Sequence, residues 1–141
     1  MGAATVMMAS ELSLPDEVRA VVADCGFTTP WEIIRRTLRR KHKILPYPVI
    51  FFMNFWSRIL AHFDYRSVST EKSLQKTALP IFLIHGSEDL YVPCRMSERN
   101  AAAAKEKAEI FIAKGARHSQ SVLFFPEEYL TRLLAFLEKH L

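Results

Sequence analysis

Two short stretches hold residue types that can do acid–base chemistry together. One is Gly86-Ser87-Glu88-Asp89 and the other is Gly115-Ala116-Arg117-His118-Ser119. Each closes an apolar run, residues 80–85 (PIFLIH) and 109–113 (EIFIA). A carboxylate bound to an imidazole fixes its tautomer and stabilises the imidazolium, so the imidazole can take a nucleophile's proton. Asp89 and His118 are the candidate acid and base. Glu88 competes for the acid's place, and so does Asp24, which also follows an apolar run; such a pair is defined by geometry and not by position. Other groups have plainer readings. His85 precedes a glycine turn and reads as a structural strand-end residue. His42, His62 and His140 have no constellation around them. Ser87, Ser119 and Ser121 stand near the candidate site, but nothing there resembles the sharp turn that exposes a nucleophilic hydroxyl. Cys25 reads more simply as a buried inert thiol than as one activated by a base.

These loops must be carried to one edge of a scaffold. Residues 18–23 (VRAVVA), 80–85 and 109–113 are short, nearly continuous apolar runs and read as buried strands. Helices are expected at 2–12, 31–40, 49–62, 70–77, 96–107 and 126–141. The glycine and alanines of 2–12 would let that helix pack closely. Thr29 can cap the second helix, with Pro30 at its first turn. The last helix would present Leu130, Leu133, Leu134, Leu137 and Leu141 on one face. Apolar strands alternating with helices imply an α/β fold with a parallel sheet covered on both faces. Ligands of such sheets bind beyond the carboxyl ends of the strands, where Asp24, Asp89 and His118 all fall.

Residues 28–63 interrupt the alternation. Two helices separated by the prolines of 43–48 read as an inserted helical pair with no strand. Arg35, Arg36, Arg39, Arg40, Lys41 and Lys43 are interleaved with Ile33, Ile34 and Leu38 at helical spacing. That is a solvated helix face; a nucleic-acid surface would interleave charge with stacking aromatics. Phe51, Phe52, Phe55 and Trp56 fit a lid lining an apolar pocket, plain core, or a lipid-facing surface.

The chain has 141 residues, 50% hydrophobic and 24% charged, which is the composition of a single globular domain. A domain of this size needs no metal or disulfide staple. The net charge of +4 says little about partners. Cys25 and Cys94 have no metal-ligand spacing, and read as reduced thiols. With no signal peptide at the N-terminus, the expected location is cytoplasmic. The longest apolar run, residues 49–53, is too short to span a bilayer. No cofactor, metal, nucleic-acid partner or membrane span is expected.

The pattern His85-Gly86-x-x-Asp89-x-x-Val92-Pro93, then a helix, then Gly115-x-x-His118 resembles the C-terminal half of an α/β-hydrolase. The resemblance covers nearly all of residues 1–141, read as one partial domain of three parallel strands. In that family the chain order is nucleophile, acid, histidine. The resemblance places Asp89 and His118 as acid and base, and puts 28–63 where the family carries its cap. It implies a serine hydrolase that cleaves an ester, amide or peptide bond in a small-molecule or peptide substrate by acyl transfer, without a cofactor. The family's G-x-S-x-G is absent from the sequence. Met1-Gly2-Ala3-Ala4 is similar to the residues after the serine in members reading G-x-S-M-G-A. The expectation is therefore a chain that starts just after the nucleophile, lacks part of the oxyanion hole and is inactive alone. The family's nucleophile strand would pair beside 18–23. An open edge there favours aggregation, self-association or pairing with a missing N-terminal half. The alternative is a truncated, non-catalytic binding protein on a hydrolase remnant.

Overall fold

The central strand dictates the arrangement of the rest. In the computed structural model, which describes residues 1–40, 42–43 and 45–141, β1 (Val21–Asp24), β2 (Ile81–Gly86) and β3 (Ala108–Ala113) form a parallel sheet in the order β1-β2-β3. Every residue of β2 is buried, as a strand flanked on both sides and covered on both faces must be. Register runs from Val21 opposite Ile81 and from Ile81 opposite Ala108. Residues 18–20, expected in the first strand, lie outside it. Pro80 stops the pairing there: its carbonyl accepts from Val21 N–H at 3.0 Å, but it has no N–H to return.

Alternation along β2 divides the core. Leu83 and Ile81 pack with Met7, Val21, Ala23, Leu74 and Ala104, under α1 (Gly2–Ala9), α4 (Thr70–Lys76) and α5 (Arg95–Ala104). Ala3, Ala4 and Met7 provide the close packing of α1, whereas a Cβ on Gly2 would meet open space. Phe82 and Ile84 face the other way, with Phe111, Ala113 and Phe136, under α7 (Pro126–His140). A short helix, α6 (Ser121–Phe124), not expected from the sequence, leads into it. Of the leucine face expected for the last helix, only Leu133 and Leu137 pack inward. The inward row is Tyr129, Leu133, Phe136 and Leu137, with Phe136 stacked on Phe82 at 5.3 Å. Leu130, Leu134 and Leu141 form a second row, roughly 100° away round the helix, and are 51%, 54% and 63% exposed. The wide apolar surface of this helix offers two rows, and the aromatic one seats on the sheet.

Local chemistry sets the remaining boundaries. The helix expected over 96–107 ends at Ala104 because Lys105 adopts a left-handed φ of 57°, and a 3-10 turn follows. Between β1 and β2 lie α2 (Pro30–Arg40) and α3 (Pro46–Leu60), packed on each other as the expected helical pair. Pro46 and Pro48 occupy the first turn of α3, where no intrahelical N–H is needed, so the helix starts earlier than 49. Lys41, counted in the basic cluster, lies outside the described residues, as does Ile44. Among the described residues no helix is long and apolar enough to cross a membrane.

Candidate active site

The aspartate loop and the histidine loop are stitched into one structure. Ser87 N–H donates to Ala113 O at 2.9 Å and Glu88 N–H to Ala116 O at 3.0 Å. In return Gly115 N–H donates to Ser87 Oγ at 2.8 Å. Gly86 is the point of closest approach: a Cβ there would stand 2.3 Å from Ala116 O and 2.6 Å from Arg117 O, both backbone atoms. The absence of a side chain lets the histidine loop lie directly on the end of β2.

Asp89 is held by a turn of its own making. Its Oδ1 accepts from the N–H groups of Tyr91 and Val92, each at 2.8 Å. The other oxygen faces two imidazoles: Oδ2 lies 2.6 Å from His118 Nδ1 and 3.2 Å from His85 Nε2. Burial alone would raise the Asp89 carboxyl. The hydrogen bonds from His85 and His118, with those from Val92 and Tyr91, outweigh it and hold the group down at about 2. The carboxylate is therefore charged across the ordinary pH range.

The hydrogen-bond partners fix both tautomers. His85 is fully buried, and its Nε2 lies 2.9 Å from Val92 O, which only accepts. Its proton thus sits on Nε2, and Nδ1 accepts from the Ser97 hydroxyl at 2.6 Å. His118 donates from Nδ1 to Asp89, which leaves Nε2 with a free lone pair. The His118 side chain is 38% exposed, and Nε2 has no hydrogen-bond partner among the described residues. Tyr91 packs edge-on against its ring at 5.3 Å. An oriented neutral imidazole with an open Nε2 can accept a proton and return it.

Of the residues weighed for the acid, the structure brings Asp89 to His118 and not the others. Glu88 is exposed and makes no hydrogen bond to His118. Asp24 ends β1 with a buried, unpartnered Oδ1 and does not reach His118. The serines are otherwise placed. Ser87 Oγ is bound to Gly115, and Ser121 Oγ is buried without a partner. Cys25 is buried, with Sγ accepting from Ser119 N–H at 3.3 Å. Burial, then its contact with Asp24, pushes its thiol up to about 12, so it is not a ready nucleophile.

His85 does more than end a strand. It joins the start of the Asp89 loop to Val92 at its end and to Ser97 on α5. The signal for this in the sequence is the spacing of His85 and Asp89, four residues apart across a turn glycine. Cys25, His85 and Asp89 bring one ligand-type atom each within 4.8 Å of one another. Both His85 nitrogens and both Asp89 oxygens are already hydrogen-bonded, and the thiol keeps its proton. These donors are occupied in holding the loop, which does not fit a metal ligand set.

No protein-family model matches the chain. Among curated proteins it is similar to the uncharacterized protein YqkD of Bacillus subtilis, with 24% identity over 138 residues, 98% of this chain and 45% of that one. The chain thus spans about half the length of this relative. Among solved structures it is similar to an esterase of Pyrococcus furiosus, at 22% identity and a TM-score of 0.65, over 99% of this chain and 50% of that one. It is also similar to a puromycin-hydrolyzing peptidase of Mycobacterium tuberculosis, at 23% identity and a TM-score of 0.70, over 99% of this chain and 20% of that one. An acylaminoacyl peptidase of Pyrococcus horikoshii matches at 19% identity and a TM-score of 0.60, over 97% of this chain and 22% of that one. What these proteins share with the chain is architecture, three parallel strands with flanking helices, and the chain is built as part of an α/β-hydrolase fold.

Proposed function

We propose that residues 1–141 supply the acid and the base of a serine hydrolase that cleaves ester, amide or peptide bonds by acyl transfer. His118 takes the nucleophile's proton at Nε2 and later returns it to the leaving group. Asp89 keeps the ring in that tautomer and stabilises the imidazolium. The observation that carries this reading is the 2.6 Å contact between buried Asp89 Oδ2 and His118 Nδ1, with Nε2 left open. Hydrolases among the structural neighbours support it. The nucleophile comes from a G-x-S-x-G segment outside these residues, and the helical pair of 28–63 serves as the cap over the substrate.

The test is to translate the DNA upstream of the Met1 codon in frame, express that longer chain, and assay p-nitrophenyl ester hydrolysis and fluorophosphonate labelling. Residues 1–141 alone are expected to show neither. The longer chain is expected to show both, with Asp89→Asn lowering the rate about 10⁴-fold, the scale measured for the equivalent change in a serine protease. A stop codon directly upstream, or a folded serine-bearing chain whose hydrolysis survives His118→Ala, refutes the proposal.

A further inference from the structure

α3 exposes more apolar surface than a cap over a pocket requires. Of its fifteen residues only Pro46, Ile50 and Asn54 are buried. Phe51, Phe55 and Ile59 form one row and line a hollow of about 470 Å³ with Asn54, Arg58 and Arg66. Phe52, Trp56 and Leu60 form the next row, roughly 100° further round the helix, and do not line that hollow. They are 59%, 54% and 76% exposed. A substrate pocket accounts for the first row and leaves the second in water; core packing accounts for neither.

Charge singles out the same part of the chain. Residues 30–66 carry eight lysines and arginines against two carboxylates, a surplus of six, while the rest of the sequence has a deficit of two. A second hollow, of about 250 Å³, is lined by Glu32, Arg35, Arg36, Arg39, Arg40 and Arg95. Its single carboxylate is engaged by Arg99 at 2.9 Å and Arg95 at 3.7 Å. Among the described residues Arg35, Arg36, Arg39 and Arg40 have no ion pair. Arg36 Nε is buried without any hydrogen-bond partner. Arg35 donates to the Tyr47 hydroxyl at 3.5 Å and Arg40 to Leu90 O at 3.4 Å, both long bonds to neutral acceptors, so the hollow keeps its positive charge uncompensated. It is continuous with the start of α3, because Arg39 also lines an adjoining hollow with Lys43, Leu45, Pro46 and Tyr47.

We propose that this helical pair docks on an anionic lipid bilayer, with acidic headgroups at the arginines of α2 and the Phe52, Trp56 and Leu60 row in the acyl boundary. Exposed aromatic side chains and unpaired arginines carried by one helical pair suit the interface between headgroups and hydrocarbon. Each cation near an anionic membrane surface strengthens binding about fivefold. The complementarity selects the occupant. A second copy would bring the same surplus of positive charge against itself. A nucleic acid would meet the arginines and leave the apolar row in water. The inference is independent of hydrolysis, and its test reads none.

The experiment is flotation of the 141-residue chain with vesicles on a density gradient, since aggregates sink and bound protein rises. Vesicles of phosphatidylcholine alone are compared with vesicles containing one quarter phosphatidylglycerol. The chain is expected to rise with the anionic vesicles at low salt, and severalfold less at about 0.5 M salt, where charges are screened within a few ångströms. Arg39→Gln with Arg40→Gln, both exposed, is expected to weaken binding by tenfold or more. Phe52→Ser with Leu60→Ser is expected to do the same without altering thermal stability. In a Trp31→Phe background, Trp56 emission is expected to be quenched by brominated acyl chains. No flotation with anionic vesicles overturns the proposal, as do equal flotation with neutral ones and Trp56 left unquenched. So does a stable dimer, or a covering segment of a longer chain, that shields Trp56 and abolishes flotation.

Discussion

Replacing Gly86 with alanine tests whether the fit of the two loops positions Asp89 against His118. The added Cβ would stand 2.3 Å from Ala116 O and 2.6 Å from Arg117 O. An ordinary contact is about 3.4 Å, so the backbone of Ala116 and Arg117 must retreat by about 1 Å. His118 is next in the chain after Arg117. A shift of that size opens the Asp89–His118 contact from 2.6 Å to about 3.6 Å, beyond hydrogen-bond range. Overpacking of this kind costs about 1–3 kcal/mol, and loss of a hydrogen bond to a charged group costs about as much again. We expect a total of about 3 kcal/mol, a fall in Tm on the order of 10 °C for a chain of this length. Thermal denaturation followed by circular dichroism reads that part. The second readout is the His118 ring Nδ1–H resonance in proton NMR, expected in the parent and lost in Gly86→Ala. Gly2→Ala is the control, because nothing lies within 4 Å of its Cβ. It should leave Tm unchanged or slightly raised, alanine being the better helix former. A Gly86→Ala protein with Tm within about 2 °C of the parent and an intact ring proton would refute the reasoning.

Two further outcomes are expected from the structure. The Asp89 carboxyl lies at about 2 in the folded state against an ordinary 3.8, which amounts to about 2 kcal/mol of stability, present above about pH 4 and lost as pH falls through about 2. Urea unfolding at about pH 6, 4 and 3 should show the gap between the parent and Asp89→Asn narrowing with acid; a gap constant over that range would count against the assignment. On α7, Phe136→Ala should cost about 3–5 kcal/mol because Phe136 is buried against Phe82, and Leu134→Ala about 0.5 kcal/mol or less because Leu134 is half exposed. A larger loss for Leu134→Ala than for Phe136→Ala would mean that the leucine row, not the aromatic one, faces the sheet.

The strands were legible because buried parallel strands are written as unbroken apolar runs, and both site loops were legible because each starts at a glycine that closes such a run. Topology put Asp24, Glu88, Asp89 and His118 at the same edge of the sheet; the choice of Asp89 as the partner of His118 came from the resemblance to the α/β-hydrolase pattern. Four features were not legible. The first is the rotation of α7. Its leucines and aromatics are equally apolar, and only the shape of the opposing surface around Phe82 decides between the rows. The second is the length of α3, where two prolines look like a breaker unless they fall in the first turn. The third is the work done by His85: its spacing to Asp89 hints at a contact, but its partner Ser97 comes alongside only once α5 folds back on β2. The basic residues of α2 were visible as a cluster. That they enclose a hollow with Arg95 was not, because Arg95 arrives from another helix.

The sheet also has a consequence for the order of assembly. Joining β2 to β3 closes a connection of 21 residues, whereas joining β1 to β2 closes one of 56. Loop entropy favours the shorter closure, if only by under about 1 kcal/mol, and the alanine-rich α5 between β2 and β3 adds local helix propensity to it. Residues 81–118 are therefore expected to form before β1 joins the sheet, and Asp89 and His118 both lie inside that stretch. The Asp89–His118 hydrogen bond would be assembled by a single βαβ unit before β1 and the helical insert dock.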